Sequence, residues 1–375
     1  MFLIERTTSL LVYAFALFAA YQLVARVARK QYKAVLFAYL IVLAVFAFNY
    51  KPYITADLYR LREYIEYWIH KDWGNVIKYA MENSTPSWVL YSYVLSKLSN
   101  INWLQTITCL WCFGNVFYII VHEIEKDDIQ CSFRSILLFY IMAVGAFYLQ
   151  TISGIRSMLG ISIVAFCLYK ETVENKKIVW HLPLWLFAAL LHTSTMMLVI
   201  SRFIFLMIQS RGIAKKMIMG IVILAGAFFS FRYMGDFISG SFEYGKGYFT
   251  NTKEYTYIWE RIIGIMETLE TIYVLRKYQK GALYLDAEEK KRYRPLYLFT
   301  LIWTVISVAS FPFSYAVFRR YTMLCTVTSV PLVAKLSDFE ESEKIRKWLF
   351  VFSFLIFALS GVRGDLCGYK FFTLS

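Results

Sequence analysis

Apolar runs of about 14 to 20 residues recur along the whole chain, separated by short charged loops. A bilayer core takes roughly 20 mostly apolar residues per helical crossing. The pattern therefore predicts an all-α, polytopic integral membrane protein. Twelve crossings are placed near 7–24, 34–50, 104–122, 135–150, 157–170, 178–191, 193–210, 217–231, 262–275, 295–311, 321–334 and 348–361. The first run, LLVYAFALFAAYQLVA, is read as a retained helix because further crossings follow it. The segment TPSWVLYSYVLSKLSN, 85–100, is short and aromatic. It is expected to lie along the membrane surface or dip into it. The chain, 1–375, is read as a single polytopic membrane domain.

Composition agrees with that pattern. The chain is 59% hydrophobic and 18% charged, against about 25% charged residues in an ordinary soluble domain. The formal net charge of +14 does not point to nucleic acid, because the basic residues sit mainly in short loops between helices, where they set topology. The loops 25–33, 123–134, 170–177, 211–216, 276–294 and 335–347 alternate to one side and hold 23 of the 40 Lys and Arg residues. The positive-inside rule places them in the cytoplasm. The loop 276–294 weighs most, with seven basic residues. Both termini and the loops 51–103, 151–156, 232–261 and 312–320 then face outward. Cys109 and Cys112 form a CxxC within an apolar run, with no second pair or nearby His, so neither metal nor redox chemistry is assigned to them.

Several polar residues collect on the predicted outer face. Arg156 is the only charge within FYLQTISGIRSMLGISIVAFCLY, just past Gly154 in a short turn. Arg in lipid is costly, so it must face a cavity or snorkel to the interface. LLHTST puts His192 in an equally short turn. ITADLYRLREY places Asp57, Tyr59, Arg60 and Arg62 beyond the second crossing, and FRRY places Arg319 and Arg320 at the start of the eleventh. Arg232 lies just outside the eighth. Each has an ordinary explanation alone: a snorkelling anchor, a hydrogen-bonded turn or a solvated loop. Their convergence on one face suits a polyanionic substrate, since Arg binds phosphate through paired, charge-assisted hydrogen bonds. A neutral His can take a proton from a hydroxyl. Fixed cations can stabilise a pyrophosphate leaving group, and no Asp-rich metal motif occurs at these turns. The aromatic loop 232–261 suits sugar stacking or an interfacial belt. Glu267 and Glu270 fall within the ninth crossing, where a carboxylate needs a partner or a task. For Glu267 one partner is Arg202 of the seventh.

The order of these elements resembles the EpsG family of bacterial membrane proteins, which are similar to Wzy-type polysaccharide polymerases. The resemblance rests on a D-x-Y-R-like element (Asp57, Tyr59, Arg60), an IR-x-x-L-like element (Ile155, Arg156, Leu159) continuing into ISIVAF, and LLHTST, which looks like the family's F-H-x-S. Here Ser157 stands where the family usually has Gln, and Leu191 where it has Phe. The resemblance implies a GT-C-like polymerase architecture in the bacterial cytoplasmic membrane. It implies a metal-independent glycosyltransferase, without cofactor, that joins undecaprenyl-pyrophosphate-linked oligosaccharide repeat units at the outer leaflet. The product would be exopolysaccharide, capsule or O-antigen. Carried over by position, Arg156 would hold pyrophosphate, and His192 would be general base or orient the acceptor. Asp57 would orient Arg60 or serve as base instead. Tyr59, Arg60, Arg232, Arg319 and Arg320 would be further phosphate or sugar contacts. Expected partners are the lipid-linked oligosaccharides, membrane lipid, and a chain-length regulator and flippase of the same pathway.

Two other classes fit the pattern: a flippase or transporter of a polar lipid, using Arg202, Glu267 and Glu270, and a membrane-bound sugar acyltransferase using the membrane His. The topology has a direct check. A reporter Ala282→Cys in the 276–294 loop is expected to resist a membrane-impermeant thiol reagent in intact cells, while Asn83→Cys in the 51–103 loop reacts. Labelling at position 282 from outside would reverse the assignment of every outer residue above.

Overall fold

The computed structural model describes residues 31–52, 57–144, 147–209 and 258–362, with isolated positions between 212 and 221. The predicted first crossing, most of the eighth, Arg232 and most of the aromatic loop lie outside the described residues. The described residues form fourteen α-helices and two short 3-10 turns.

The first two long helices show how the chain is laid out. Helix α1 (Tyr32–Asn49) carries no charge after Lys33, and α5 (Trp103–Asp127) packs along it. They are antiparallel. At one end Lys33 pairs with Glu125. At the other, Arg62 donates from one nitrogen to Tyr50 O (2.9 Å) and Asn102 Oδ1 (2.7 Å), tying the end of α1 to the start of α5. These two helices are long and apolar enough to cross a membrane. Shorter apolar segments span Cys131–Tyr140, Ile178–Ala189 and Thr193–Ile208.

Between α1 and α5, the predicted outer loop 51–103 folds as three short helices: α2 (Asp57–Trp68), α3 (Trp73–Glu82) and α4 (Pro86–Ser96). Asp72 caps α3 by accepting from the Asn75 amide at 2.8 Å, and Pro86 opens α4 where its missing N–H costs nothing. Trp68, Val76, Ala80 and Val89 form a small core of their own. The segment 85–100 is thus helical as expected. Its first turn is fixed by the Ser87 amide donating to Leu190 O at 3.2 Å, which docks it onto the turn that carries His192.

The chain then continues as α6 (Cys131–Val144), α7 (Tyr148–Ser153), α8 (Ile155–Thr172), a 3-10 turn (Ile178–His181), α9 (Leu182–Ala189), α10 (Thr193–Gln209), α11 (Ile258–Gly281), α12 (Ala287–Ser310), α13 (Tyr315–Lys335) and α14 (Ser342–Val362). The last four are longer than the crossings predicted there. At 1.5 Å per residue, a 24-residue helix is about 36 Å long. Buried hydroxyls link them: Thr300 donates to Thr328 (2.9 Å), Ser307 meets Thr322 (2.9 Å), and Thr268 meets Thr322 (3.3 Å). Such bonds, with small residues between helices, hold apolar bundles where burial from water gives no drive.

The two ends of the bundle treat charge differently. At one end Lys335, 1% exposed, lies between Asp127 (2.8 Å), Glu289 (2.6 Å) and Asp338 (3.2 Å). Nearby, Glu123 is fully buried and accepts from Tyr169 (2.5 Å) and Tyr293 (2.7 Å). Lys277–Glu341 and Lys170–Glu174 pair at the same end. These three lysines meet carboxylates. The other end carries Arg156, His192 and Arg320.

Packing between helices depends on two glycines. A Cβ at Gly160 of α8 would lie 2.4 Å from Thr195 Cγ2 of α10, and one at Gly264 of α11 would lie 2.8 Å from Phe318 of α13. Gly160→Ala is therefore expected to lower stability by about 1–3 kcal/mol through overpacking, read as a fall in melting temperature of the purified protein. Adding Thr195→Ser, which removes the nearest methyl, should recover part of the loss. An unchanged melting temperature for Gly160→Ala would mean that α8 and α10 do not approach so closely.

Candidate functional site

Arg156, His192 and Arg320 come from three helix starts. The break at Gly154 separates α7 from α8, and the Gly154 amide donates back to Gln150 O at 2.7 Å. A Cβ at Gly154 would sit 3.0 Å from that same oxygen, so glycine lets the chain end one helix and start the next without a spacer. Arg156 is then the second residue of α8. His192 precedes α10, and its carbonyl accepts the amides of Thr195 (3.1 Å) and Met196 (3.0 Å). Arg320 lies in the second turn of α13. The contact between Gly160 and Thr195 holds α8 against α10 close to the level of Arg156 and His192.

The charges of Arg320 and Arg156 both act on His192. Arg320, Asp57 and Arg60 in turn act on Arg156. The Arg156 guanidinium also lies 5.7 Å above the Trp88 ring of α4, a cation–π contact. Arg156 and Arg320 are both half-buried. Arg60 and Asp57 are exposed and pair with each other at the start of α2, and Tyr59 beside them is half-buried. Among the described residues, neither Arg156 nor Arg320 forms an ion pair.

His192 lies in the turn between α9 and α10. Burial first, then the Arg320 and Arg156 charges, push it down from its ordinary value to about 3. It is neutral at any ordinary pH. Its Nδ1 accepts the Ser194 amide at 3.1 Å, and the Ser194 hydroxyl is 2.8 Å from the same atom. An amide can only donate, so Nδ1 holds a lone pair and Nε2 carries the proton. His192 thus keeps a hydrogen-bond donor at Nε2. It is both the expected turn residue and a member of the cluster. For Arg156, burial and the Arg320 and Arg60 charges lower its pKa, against the opposite pull of Asp57 and Tyr64.

The adjacent arginines separate. Arg319, 7% exposed, turns into the bundle and pairs with Glu267 of α11. Its guanidinium also stacks 4.9 Å from the Phe147 ring. Glu267 therefore has an arginine partner, but a different one from the Arg202 considered from sequence. Arg202 instead pairs with Glu171 of α8, at 2.7 and 3.2 Å. Sequence reasoning missed Trp88, because its pairing with Arg156 spans distant segments. The only signal was that the 85–100 segment is aromatic and falls in a loop predicted on the same face as Arg156.

The matched family settles the kinship suggested by these elements. A model of the EpsG family matches residues 34–371. The chain belongs to the EpsG family. No curated protein and no solved structure matches it. The EpsG family comprises membrane proteins linked to exopolysaccharide biosynthesis, and the apolar helices of this EpsG-family chain are compatible with a membrane.

The Glu267–Arg319 pair yields a stability prediction. Removing one partner of a buried pair leaves an uncompensated charge, which costs about 3–5 kcal/mol. Glu267→Ala is expected to melt well below wild type, whereas Glu267→Leu combined with Arg319→Met should lose much less. Equal losses would mean that the two side chains do not neutralise each other.

Proposed function

We propose that the protein is a polysaccharide polymerase that binds the pyrophosphate of a polyprenyl-linked oligosaccharide at its Arg156 end, on the outer leaflet of the bacterial cytoplasmic membrane. One observation carries this reading. Arg156 and Arg320 are half-buried at one end of the bundle, act on each other and on a neutral His192, and lack carboxylate partners among the described residues. At the opposite end Lys335 and Lys170 are neutralised within the protein. Guanidiniums held together without acids need an anion from outside, and pyrophosphate fits paired Arg geometry. The starts of α8 and α10 add their positive dipole ends. About twelve crossings, including those outside the described residues, would place this end at the outer surface.

The chemistry follows from these positions. The acceptor sugar's hydroxyl oxygen bonds to the anomeric carbon of the donor. The bond from that carbon to the pyrophosphate oxygen breaks, and its electron pair leaves on phosphate. Arg156 and Arg320 take up the added negative charge, and the Nε2 proton of His192 donates to phosphate or orients the acceptor. With Nδ1 occupied and Nε2 protonated, His192 suits donation better than base catalysis. Asp57, beside Arg60 and within electrostatic reach of Arg156, is the carboxylate best placed to accept the hydroxyl proton. Arg319 serves by holding α13, and Tyr59 and Arg60 contact sugar or phosphate. The loop bearing Arg232 would complete the outer side. A flippase and a chain-length regulator would supply and limit the substrate. Of the three residues named for the transporter reading, Arg202 and Glu267 are each neutralised by a partner and lend it no support, and Glu270 is not.

The test is an in vitro assay with a synthetic undecaprenyl-pyrophosphate repeat unit, read as a ladder of lengthened glycans. Wild type should give a ladder. Arg156→Ala and Arg320→Ala should lose at least about tenfold in rate, the scale of one charge-assisted contact. Arg156→Lys should recover only part. His192→Gln, which keeps a donor, should outperform His192→Ala. A full ladder from Arg156→Ala would reduce that residue to an interfacial anchor, and equal failure of His192→Gln and His192→Ala would favour a base.

A further inference from the structure

We propose that Glu270 lies in an oxygen-lined site inside the bundle that binds one monovalent cation. Glu270 is mid-way along α11 and fully buried. At 1.5 Å per residue it is roughly 17 Å from either end of that helix. Its Oε1 accepts from Ser353 of α14 at 2.8 Å, and its Oε2 has no hydrogen-bond partner. Next to it on α11, Thr271 is also fully buried. Thr271 lies beside the Tyr140 hydroxyl of α6, and the Glu270 carboxylate acts on that hydroxyl too. Tyr140 OH is in turn 2.5 Å from Ser329 Oγ of α13. Four helices thus bring oxygen atoms to one buried level.

The charge balance points to a cation. Every other fully buried carboxylate in this part of the bundle has its answer. Glu267 has Arg319, and Glu123, at the Lys335 end, has two phenols. Glu270 has one neutral hydroxyl, and no Lys, Arg or His among the described residues pairs with it. A dehydrated carboxylate so placed must gain a positive charge or a proton. The oxygens gathered there come from carboxylate, phenol and aliphatic hydroxyls, with the Cys325 thiol near Tyr140 as a soft neighbour. Such an oxygen set suits an alkali cation. A single unneutralised carboxylate matches a charge of +1. A divalent ion would leave an excess positive charge in the apolar interior.

This inference does not depend on polymerase activity, and its test does not use it. Thermal unfolding of the purified full-length protein in detergent is followed at fixed pH and ionic strength in NaCl, KCl or choline chloride. Na+ or K+ should raise the wild-type melting temperature by several degrees over choline, saturating with concentration. The shift should vanish in Glu270→Gln and shrink in Thr271→Val, while both variants remain folded in choline. Identical melting of wild type in all three salts would overturn the proposal. So would a melting temperature that responds to pH and not to the alkali cation, with that response lost in Glu270→Gln. Glu270 would then hold a proton instead.

Discussion

Charge inside an apolar bundle must find its opposite within the protein or be displaced to an end. Burying an ion without a partner costs several kcal/mol, and good geometry recovers most of that only when the pair is complete. This constraint organises the molecule. Lys335 sits among three carboxylates, Arg202 meets Glu171 through two nitrogens, and Arg319 meets Glu267. Arg156 and Arg320, by contrast, form no ion pair among the described residues. They stand close enough to repel each other, and the carboxylate that acts on Arg156 is already bonded to Arg60. Two guanidiniums left side by side without a carboxylate of their own are what the proposed anion site rests on.

Packing sets that site in place. The turn at Gly154 lets α8 start immediately after α7, so Arg156 emerges in a helix's first turn. Gly160 and Thr195 bring α8 against α10. Thr195 also donates to Ala188 O (2.6 Å) and His192 O (2.7 Å), closing the turn that presents the imidazole. Gly264 admits Phe318, which lets α13 approach α11 closely enough for Arg319 to reach Glu267. The buried pair then fixes the rotation of α13. Neighbouring residues on a helix project about 100° apart, so anchoring Arg319 inward directs Arg320 elsewhere, toward Arg156 and His192.

The sequence made the helical class legible, because apolar runs and their charged punctuation reflect length and solvent, both local properties. Most predicted crossings within the described residues fall on helices. Arg156 and His192 were legible for a related reason: a charge or an imidazole in a very short turn between apolar runs stays near the helix ends. What one sequence could not give was pairing. Glu267 invited an arginine, but choosing between Arg202 and Arg319 needs knowledge of which helices adjoin. The same holds for the two adjacent arginines, which look equivalent in FRRY and have opposite fates. The three helices within 51–103 were obscured because short amphipathic segments lack the long apolar run that marks a crossing. The contact of Trp88 with Arg156 joins positions 68 residues apart in sequence, beyond any local pattern.

The protonation of His192 connects packing to chemistry. Its ring caps α10 through the Ser194 amide, a role any turn histidine might fill for structural reasons. That same bond decides which nitrogen bears the proton. Burial, and then two neighbouring guanidiniums, make the charged imidazolium unfavourable, so the ring remains a neutral donor. A third cation would have repelled Arg156 and Arg320 further. In the proposed site a neutral donor would add a hydrogen bond to a phosphate oxygen without adding charge to a crowded group of cations. The structural duty of the residue and its proposed chemical one are therefore the same bond seen from two sides: capping the helix fixes the tautomer, and the tautomer sets what the ring can offer a substrate.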